Sequence, residues 1–141
     1  MIYTPDTWPR DRWQNFSRDE MACKHCGICD LQPAFMDLLQ ALRTAWGGPL
    51  RVTSGYRCPQ HPVEAAKEAP GAHTLGCAAD IGVSGQRALR LLSVALKGFD
   101  DQDWDFQAVG VQQKGPWAKR FLHLDTAPDS PGRPRPHLYS Y

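Results

Sequence analysis

The sequence has no excess of charge of either sign. It contains 16 Lys and Arg residues against 15 Asp and Glu residues, which leaves a formal net charge of +1. A protein that attracts nucleic acid through its overall charge carries a basic surplus, and that surplus is missing here. We therefore expect no nucleic-acid partner.

Long hydrophobic runs are also missing. No segment approaches the roughly 18 apolar residues that cross a bilayer, and the start, MIYTPDTWPRDRW, has no apolar signal-peptide core. We therefore expect a protein that is made in the cytoplasm without a leader and has no membrane partner. We also expect a monomer. The length of 141 residues fits a single domain, 1–141. Its core is expected over 15–127, with an extended tail over 128–141.

The cysteine pattern does not indicate a disulfide scaffold. The count is odd, the chain is longer than most disulfide-rich domains, and no leader is visible. Reduced thiols are therefore the expected state. The five cysteines are Cys23, Cys26, Cys29, Cys58 and Cys77.

The segment CKHCGICD places Cys23, Cys26 and Cys29 close together in sequence. C-x-x-C is half of many structural zinc sites, so a second zinc here is one interpretation. The sequence offers no obvious second half, which Cys58, Cys77 or His25 would have to supply. We favour the other interpretation, in which these thiols are reduced and pack as small apolar groups.

Apolar periodicity predicts two main helices on a small sheet. Apolar residues at 35, 38, 39, 42 and 46 recur at helical spacing, and Gly-Gly-Pro follows. A second helix is predicted over SGQRALRLLSVALKG, with Ser84 as its cap and Gly98 as its stop. Strands are predicted in LRVTSGYR, CAADIGV, FQAVGVQ and RFLHLDT. The sum is a single α+β domain with an antiparallel or mixed sheet.

The segment GAHTLGCAADIGV places His73 and Asp80 seven residues apart, with small residues between them. Gly76 permits a turn that brings both side chains toward one point, and Ala78 leaves space beside Asp80 on the same strand face. His123 in RFLHLDT is a candidate third ligand. Each histidine alone is better explained as a core residue that bonds a carbonyl. Together the three residues match a zinc site with an open fourth position.

The motifs HTLGCAAD, SGYR and FLHLDT, in this order, resemble those of the zinc D-alanyl-D-alanine carboxypeptidases and murein endopeptidases, especially short phage or prophage members. The resemblance covers about 15–127 and implies the fold that these enzymes share with the Hedgehog signalling domain. It implies that His73, Asp80 and His123 bind one catalytic zinc ion. It also implies an endolysin-like enzyme in which zinc-bound water cleaves peptidoglycan stem peptides or cross-links, at the periplasm or cell wall.

The same resemblance implies that Arg57 in SGYR reaches the substrate. This role suits arginine, because its planar, permanently charged fork matches a carboxylate. Ser54 and Tyr56 are expected to shape the turn and are candidate substrate contacts, and Tyr56 is also a candidate for the cleft wall. His61 in CPQHP is a candidate substrate contact, with a structural role in the loop as the alternative.

The general base is the point at which the sequence departs from the family. Relatives carry an acidic residue where this chain has Arg120, or a histidine where it has Phe121. Asp125 shares a strand face with His123, so it is a candidate base or a carboxylate that orients His123. The departure also leaves an alternative function: a catalytically inactive, zinc-containing module that binds the cell wall or belongs to a phage particle.

Overall fold

The computed structural model describes residues 1–141 and contains a five-stranded sheet. The strands are β1 (Val52–Ser54), β2 (Ala78–Gly82), β3 (Ala108–Gln112), β4 (Phe121–Asp125) and β5 (His137–Ser140). Their order is β1-β2-β4-β3-β5, and all neighbours are antiparallel except β3 and β5, which are parallel. The predicted α+β class with a mixed sheet is confirmed.

Three helices accompany the sheet, and their ends follow local sequence signals. The helices are α1 (Arg18–Met21), α2 (Pro33–Trp46) and α3 (Gly85–Asp101). Ser17 and Glu20 form a reciprocal capping box at the start of α1. Gly47 ends α2 in the left-handed conformation, as its position after the last apolar residue predicts. No helix combines the length and apolarity that crossing a membrane would require.

Gly98 does not stop α3, so that part of the sequence prediction is wrong. The helix continues through Gly98 to Asp101, and Ser84 caps it without a side-chain hydrogen bond. The reason for a glycine lies in packing, because a Cβ at Gly98 would overlap the ring of Trp104. The missing side chain lets the chain fold back against the helix that it has just left.

The hydrophobic core begins nearer the start of the chain than residue 15. Tyr3, Trp8 and Trp13 are buried and meet edge to face, with ring centroids 5.1–5.6 Å apart. The indole of Trp8 donates to the carbonyl oxygen of Phe16, and that of Trp13 donates to Asp37 on α2. These residues extend the core that α2, α3 and the sheet enclose.

The C-terminal segment does more than run over the surface, because β5 adds an edge strand to the sheet. Its register places Tyr139 opposite Gly110 of β3. A Cβ at Gly110 would overlap the Tyr139 ring, so the glycine provides the space in which this ring lies. The tail is thereby fixed beside β3.

The central strands separate an apolar face from a polar one. Ile81, Leu122 and Leu124 are buried in the hydrophobic cluster that includes residues of α2 and α3. Because side chains alternate along a strand, Asp80 and His123 lie on the opposite face. These two residues are direct partners across β2 and β4. The sheet therefore places two candidate ligands side by side, away from the helices.

Candidate metal centre

The structure brings His73, Asp80 and His123 together in one buried cluster. The pairing of β2 with β4 sets the Asp80 and His123 side chains, and His73 comes from the turn that precedes β2. Gly76 adopts a φ of +72° in that turn, and a Cβ there would collide with the carbonyl oxygen of Asp30. Glycine is therefore needed both for the turn and for the close approach of the chain to the segment that precedes α2.

Three atoms in this cluster point toward one another. Nε2 of His73 lies 3.2 Å from Nδ1 of His123 and 3.3 Å from Oδ1 of Asp80. Nδ1 of His123 lies 2.9 Å from the same carboxylate oxygen. Two ligand atoms at about 2.0–2.1 Å from a tetrahedral zinc ion lie about 3.3 Å apart. The triangle of donor atoms thus has nearly the size that one zinc ion requires.

The outer nitrogens of the two imidazoles determine what this triangle contains. Nδ1 of His73 lies 2.7 Å from the carbonyl oxygen of Gly55, which only accepts, so this nitrogen carries the proton. Nε2 of His123 lies 2.7 Å from Oδ2 of Asp125 and likewise donates to it. In the neutral rings, the two inner nitrogens then carry no proton, and each presents a lone pair. Three acceptors converge with no proton between them, an arrangement that a cation stabilises.

The pKa shifts agree with a site that favours positive charge at its centre. Burial alone would raise the pKa of Asp80, but bonds and charge attraction from His123 and His73, which act when an imidazole is protonated, outweigh it and hold the pKa well below its usual range. Burial lowers the pKa of His73. For His123 burial acts in the same direction, but the bonds that its protonated ring makes to Asp125 and Asp80 outweigh it and raise the pKa.

Asp125 lies behind His123, on the side of the ring away from the three converging atoms. It is fully buried, and its oxygens accept from His123, from the Ala127 amide and from both Nε and a terminal nitrogen of Arg135. Burial raises its pKa, but the bonds to His123 and Arg135 outweigh this and lower it to about 2. This placement favours the orienting role over the general-base role.

Arg57 lies beside the cluster and lines the cleft that leads to it. Its Nε donates to Ser54 Oγ at 2.9 Å, and one terminal nitrogen donates to Asp80 Oδ2 at 3.0 Å. The other terminal nitrogen lies 3.4 Å from Oε1 of Glu64. The guanidinium is therefore fixed in position and orients the outer oxygen of Asp80.

Three residues predicted to meet the substrate have other positions. Ser54 contacts Arg57 and so positions the guanidinium. Tyr56 is buried in the hydrophobic core and does not line the cleft, so the expected wall role is corrected. His61 is also absent from the cleft lining; its Nδ1 accepts from the Val63 amide, and its ring lies 6.3 Å from that of His25. Its structural role in the loop is the better interpretation.

Three further residues near the site lie outside every motif of the sequence. Arg135 holds Asp125, Glu64 holds Arg57, and Tyr139 lies with its ring centroid 6.0 Å from that of His123. Glu64 is buried and has one oxygen without a hydrogen-bond partner. The only sequence signal for Tyr139 is the glycine at position 110, which marks a close approach across the sheet.

The residues at the family's two usual base positions point elsewhere. The Arg120 guanidinium lies 4.4 Å from the Trp117 ring centroid and donates to the carbonyl oxygen of Gly115. Phe121 packs against Tyr141, with ring centroids 5.1 Å apart. Neither residue supplies a carboxylate or an imidazole to the metal cluster.

Comparison with known proteins identifies the family. A family model described as Peptidase M15 matches residues 14–125, which is most of the chain and includes all three candidate ligands. Comparison with curated proteins gives no match. The resemblance to zinc D-alanyl-D-alanine carboxypeptidases is thereby confirmed, and closeness to phage members stays a prediction. The chain therefore belongs to the peptidase M15 family, a family of metallopeptidases.

Proposed function

We propose that this protein is a zinc peptidase that hydrolyses peptide bonds in peptidoglycan stem peptides or cross-links. The observation that carries the proposal is the convergence of Nε2 of His73, Nδ1 of His123 and Oδ1 of Asp80. Two imidazoles and one carboxylate, each with an orienting partner on its outer side, form a catalytic donor set for zinc. The fourth position remains for the reaction.

The cleft above this cluster suits a peptide that carries carboxylates. It has a volume of about 670 Å³ and opens beside both His73 and His123. Its positively charged lining residues are Arg57, Lys67, Arg133 and Arg135, and its only acidic lining residue is Glu68. A cleft lined mainly by one sign of charge attracts ligands of the opposite sign. Stem peptides fit this requirement, since they carry free carboxylates.

Each residue of the site has a defined part in the proposed reaction. Zinc, when bound, would lower the pKa of a water molecule and would act as a Lewis acid on the scissile carbonyl. Asp125 holds His123 in the tautomer that directs Nδ1 inward. Arg57 orients Asp80 and presents its charge to the cleft, where it can bind a substrate carboxylate or the carbonyl oxygen. Ser54 fixes Arg57.

One observation supports a second candidate function. Asp125 has both oxygens engaged by protein donors, and neither Arg120 nor Phe121 replaces the family's usual base. A chain with this fold and metal, but without turnover, would serve as a module that binds the cell wall. Both candidates share the donor set, so binding and cleavage must be measured separately.

Purified peptidoglycan sacculi distinguish the two functions. The zinc-loaded protein is incubated with sacculi, and the soluble muropeptides are analysed by mass spectrometry. The enzyme proposal predicts either loss of terminal D-alanine or conversion of cross-linked dimers to monomers. Asp80→Asn should abolish this product, and Asp100→Asn on the exposed side of α3 should not. Co-sedimentation with sacculi without any cleavage would support the binding module, and the absence of both would refute both candidates.

A further inference from the structure

A second group of potential metal ligands lies apart from the histidine cluster. The sulfur atoms of Cys23, Cys26 and Cys58 all lie within 4.8 Å of one another. Sulfur ligands at about 2.3 Å from a tetrahedral zinc ion are about 3.8 Å apart, so small side-chain rotations bring these three to bonding distance. All three are free cysteines. We propose that Cys23, Cys26 and Cys58 bind a second, structural zinc ion.

The backbone around Cys23 has the form of a metal-binding loop. The Gly27 amide donates to the Cys23 carbonyl oxygen at 2.8 Å, and Gly27 has a φ of +76°. This tight turn after C-x-x-C brings both thiols to one side of the loop. The Cys58 amide donates to the Cys23 sulfur at 3.3 Å. An N–H bond of this kind stabilises a thiolate that ligates a metal.

Cys58 replaces Cys29 as the third thiol. The Cys29 sulfur is not part of the group of three, and its side chain is fully buried in the hydrophobic cluster. Cys58 reaches the loop because two distant segments meet closely there. The Tyr56 amide donates to the Met21 carbonyl oxygen at 2.8 Å. The structure thus supplies the second half of the site that C-x-x-C alone lacks.

Neighbouring groups suit a thiolate-rich zinc ion. Three thiolates around Zn²⁺ leave a net negative charge, and the nearby cations are Arg18 at the start of α1 and Lys24 in the C-x-x-C loop. Arg18 donates to the Gly27 carbonyl oxygen at 2.7 Å, and Lys24 donates to two carbonyl oxygens of α1. His25 lies between Cys23 and Cys26 in sequence, and the His61 amide donates to the Cys58 carbonyl oxygen at 2.9 Å, so these two histidines are the candidates for a fourth protein ligand.

The proposed zinc would connect the N-terminal segment to the loop that carries Arg57. Cys23 and Cys26 follow α1, and Cys58 is the residue directly after Arg57. A metal that holds Cys58 therefore limits the movement of the guanidinium beside Asp80. Metal content at the cysteines is measured without reference to cleavage, so this inference does not depend on the proposed function.

Zinc analysis of the full chain tests the inference. The protein purified under reducing conditions is equilibrated with zinc, freed of excess metal and analysed by mass spectrometry of the metal. We expect about two zinc ions per chain in the wild type and about one in Cys26→Ser. Cys26 is exposed, so its replacement disturbs packing least. Cys29→Ser is the matched control and should keep both ions, whereas His73→Ala should lose only the other one.

A cobalt spectrum of the wild type gives an answer that does not depend on any variant folding. Co²⁺ in place of zinc should produce an intense near-ultraviolet thiolate-to-cobalt charge-transfer band. This band should disappear in Cys26→Ser and remain in His73→Ala. Wild-type protein with reduced thiols but no such band, or equal zinc content in wild type and Cys26→Ser, would overturn the inference. A disulfide among the three cysteines in the purified protein would also overturn it.

Discussion

Replacing Asp125 with asparagine separates the two roles that this carboxylate can have at the metal centre. Asparagine keeps one oxygen that can accept from Nε2 of His123, but it removes the negative charge that faces Arg135. If Asp125 orients His123, its loss should weaken zinc binding by about 10- to 100-fold, or about 1.4–2.7 kcal/mol. The metal-free protein should also lose about 3 kcal/mol of unfolding free energy, because Arg135 is left buried without its partner.

Competition with a chromophoric chelator measures the zinc affinity of the histidine site. The measurement is made in a Cys26→Ser background, so that the histidine site is the only zinc site whose affinity is measured. Urea unfolding in a strong chelator gives the stability of the metal-free form. Asp100→Asn provides the matched control, because it makes the same chemical change on the exposed side of α3. Unchanged zinc affinity together with a loss of cleavage would refute the orienting role and assign Asp125 as the base.

Three further substitutions test other parts of the structure. Arg57→Lys should keep the zinc content but reduce cleavage by about 100-fold, because one ammonium cannot replace a guanidinium that contacts three acceptors. Gly110→Val should displace Tyr139, lower the unfolding free energy by about 1–3 kcal/mol and expose the C-terminal segment to protease. A hydrogen bond from Arg12 holds the pKa of Asp37 below its usual range, so the pair stabilises the fold above about pH 4. This contribution is lost as the pH falls through the lowered pKa, and the difference in melting temperature between wild type and Asp37→Asn should narrow below about pH 4.

The sequence predicts the parts of the fold that depend on local pattern. Apolar spacing and Gly47 define α2, and alternation within RFLHLDT places His123 and Asp125 on one strand face. The ligand cluster follows from motifs whose separations are typical of the family. Its inward geometry follows from strand register, since Asp80 and His123 are direct cross-strand partners.

Features that depend on distant contacts could not be predicted in the same way. Gly98 has the sequence signature of a helix stop, but a glycine is needed there because the Trp104 ring packs against it. Only the folded chain brings that ring near. C-x-x-C followed by Cys29 suggests a local trio, whereas the turn at Gly27 sends Cys29 into the core and leaves a place for Cys58.

The proline-rich tail likewise carries no local signal for β5. It has no apolar periodicity, and β5 forms because it pairs in parallel with β3, more than twenty residues away in sequence. Arg135 reaches Asp125 only because of this pairing. The tail, which the sequence predicts to run over the surface, therefore helps to position a metal ligand, because Arg135 contacts Asp125 and Asp125 contacts His123.

X-ray diffraction from crystals of the zinc-loaded protein, recorded on both sides of the zinc absorption edge, tests the central claim most directly. The account predicts an anomalous peak bound by Nε2 of His73, Nδ1 of His123 and Oδ1 of Asp80, at about 2.0–2.2 Å from each atom. Asp125 and the Gly55 carbonyl oxygen should keep their bonds to the outer imidazole nitrogens. Zinc-loaded crystals with no peak among these three atoms would contradict the account.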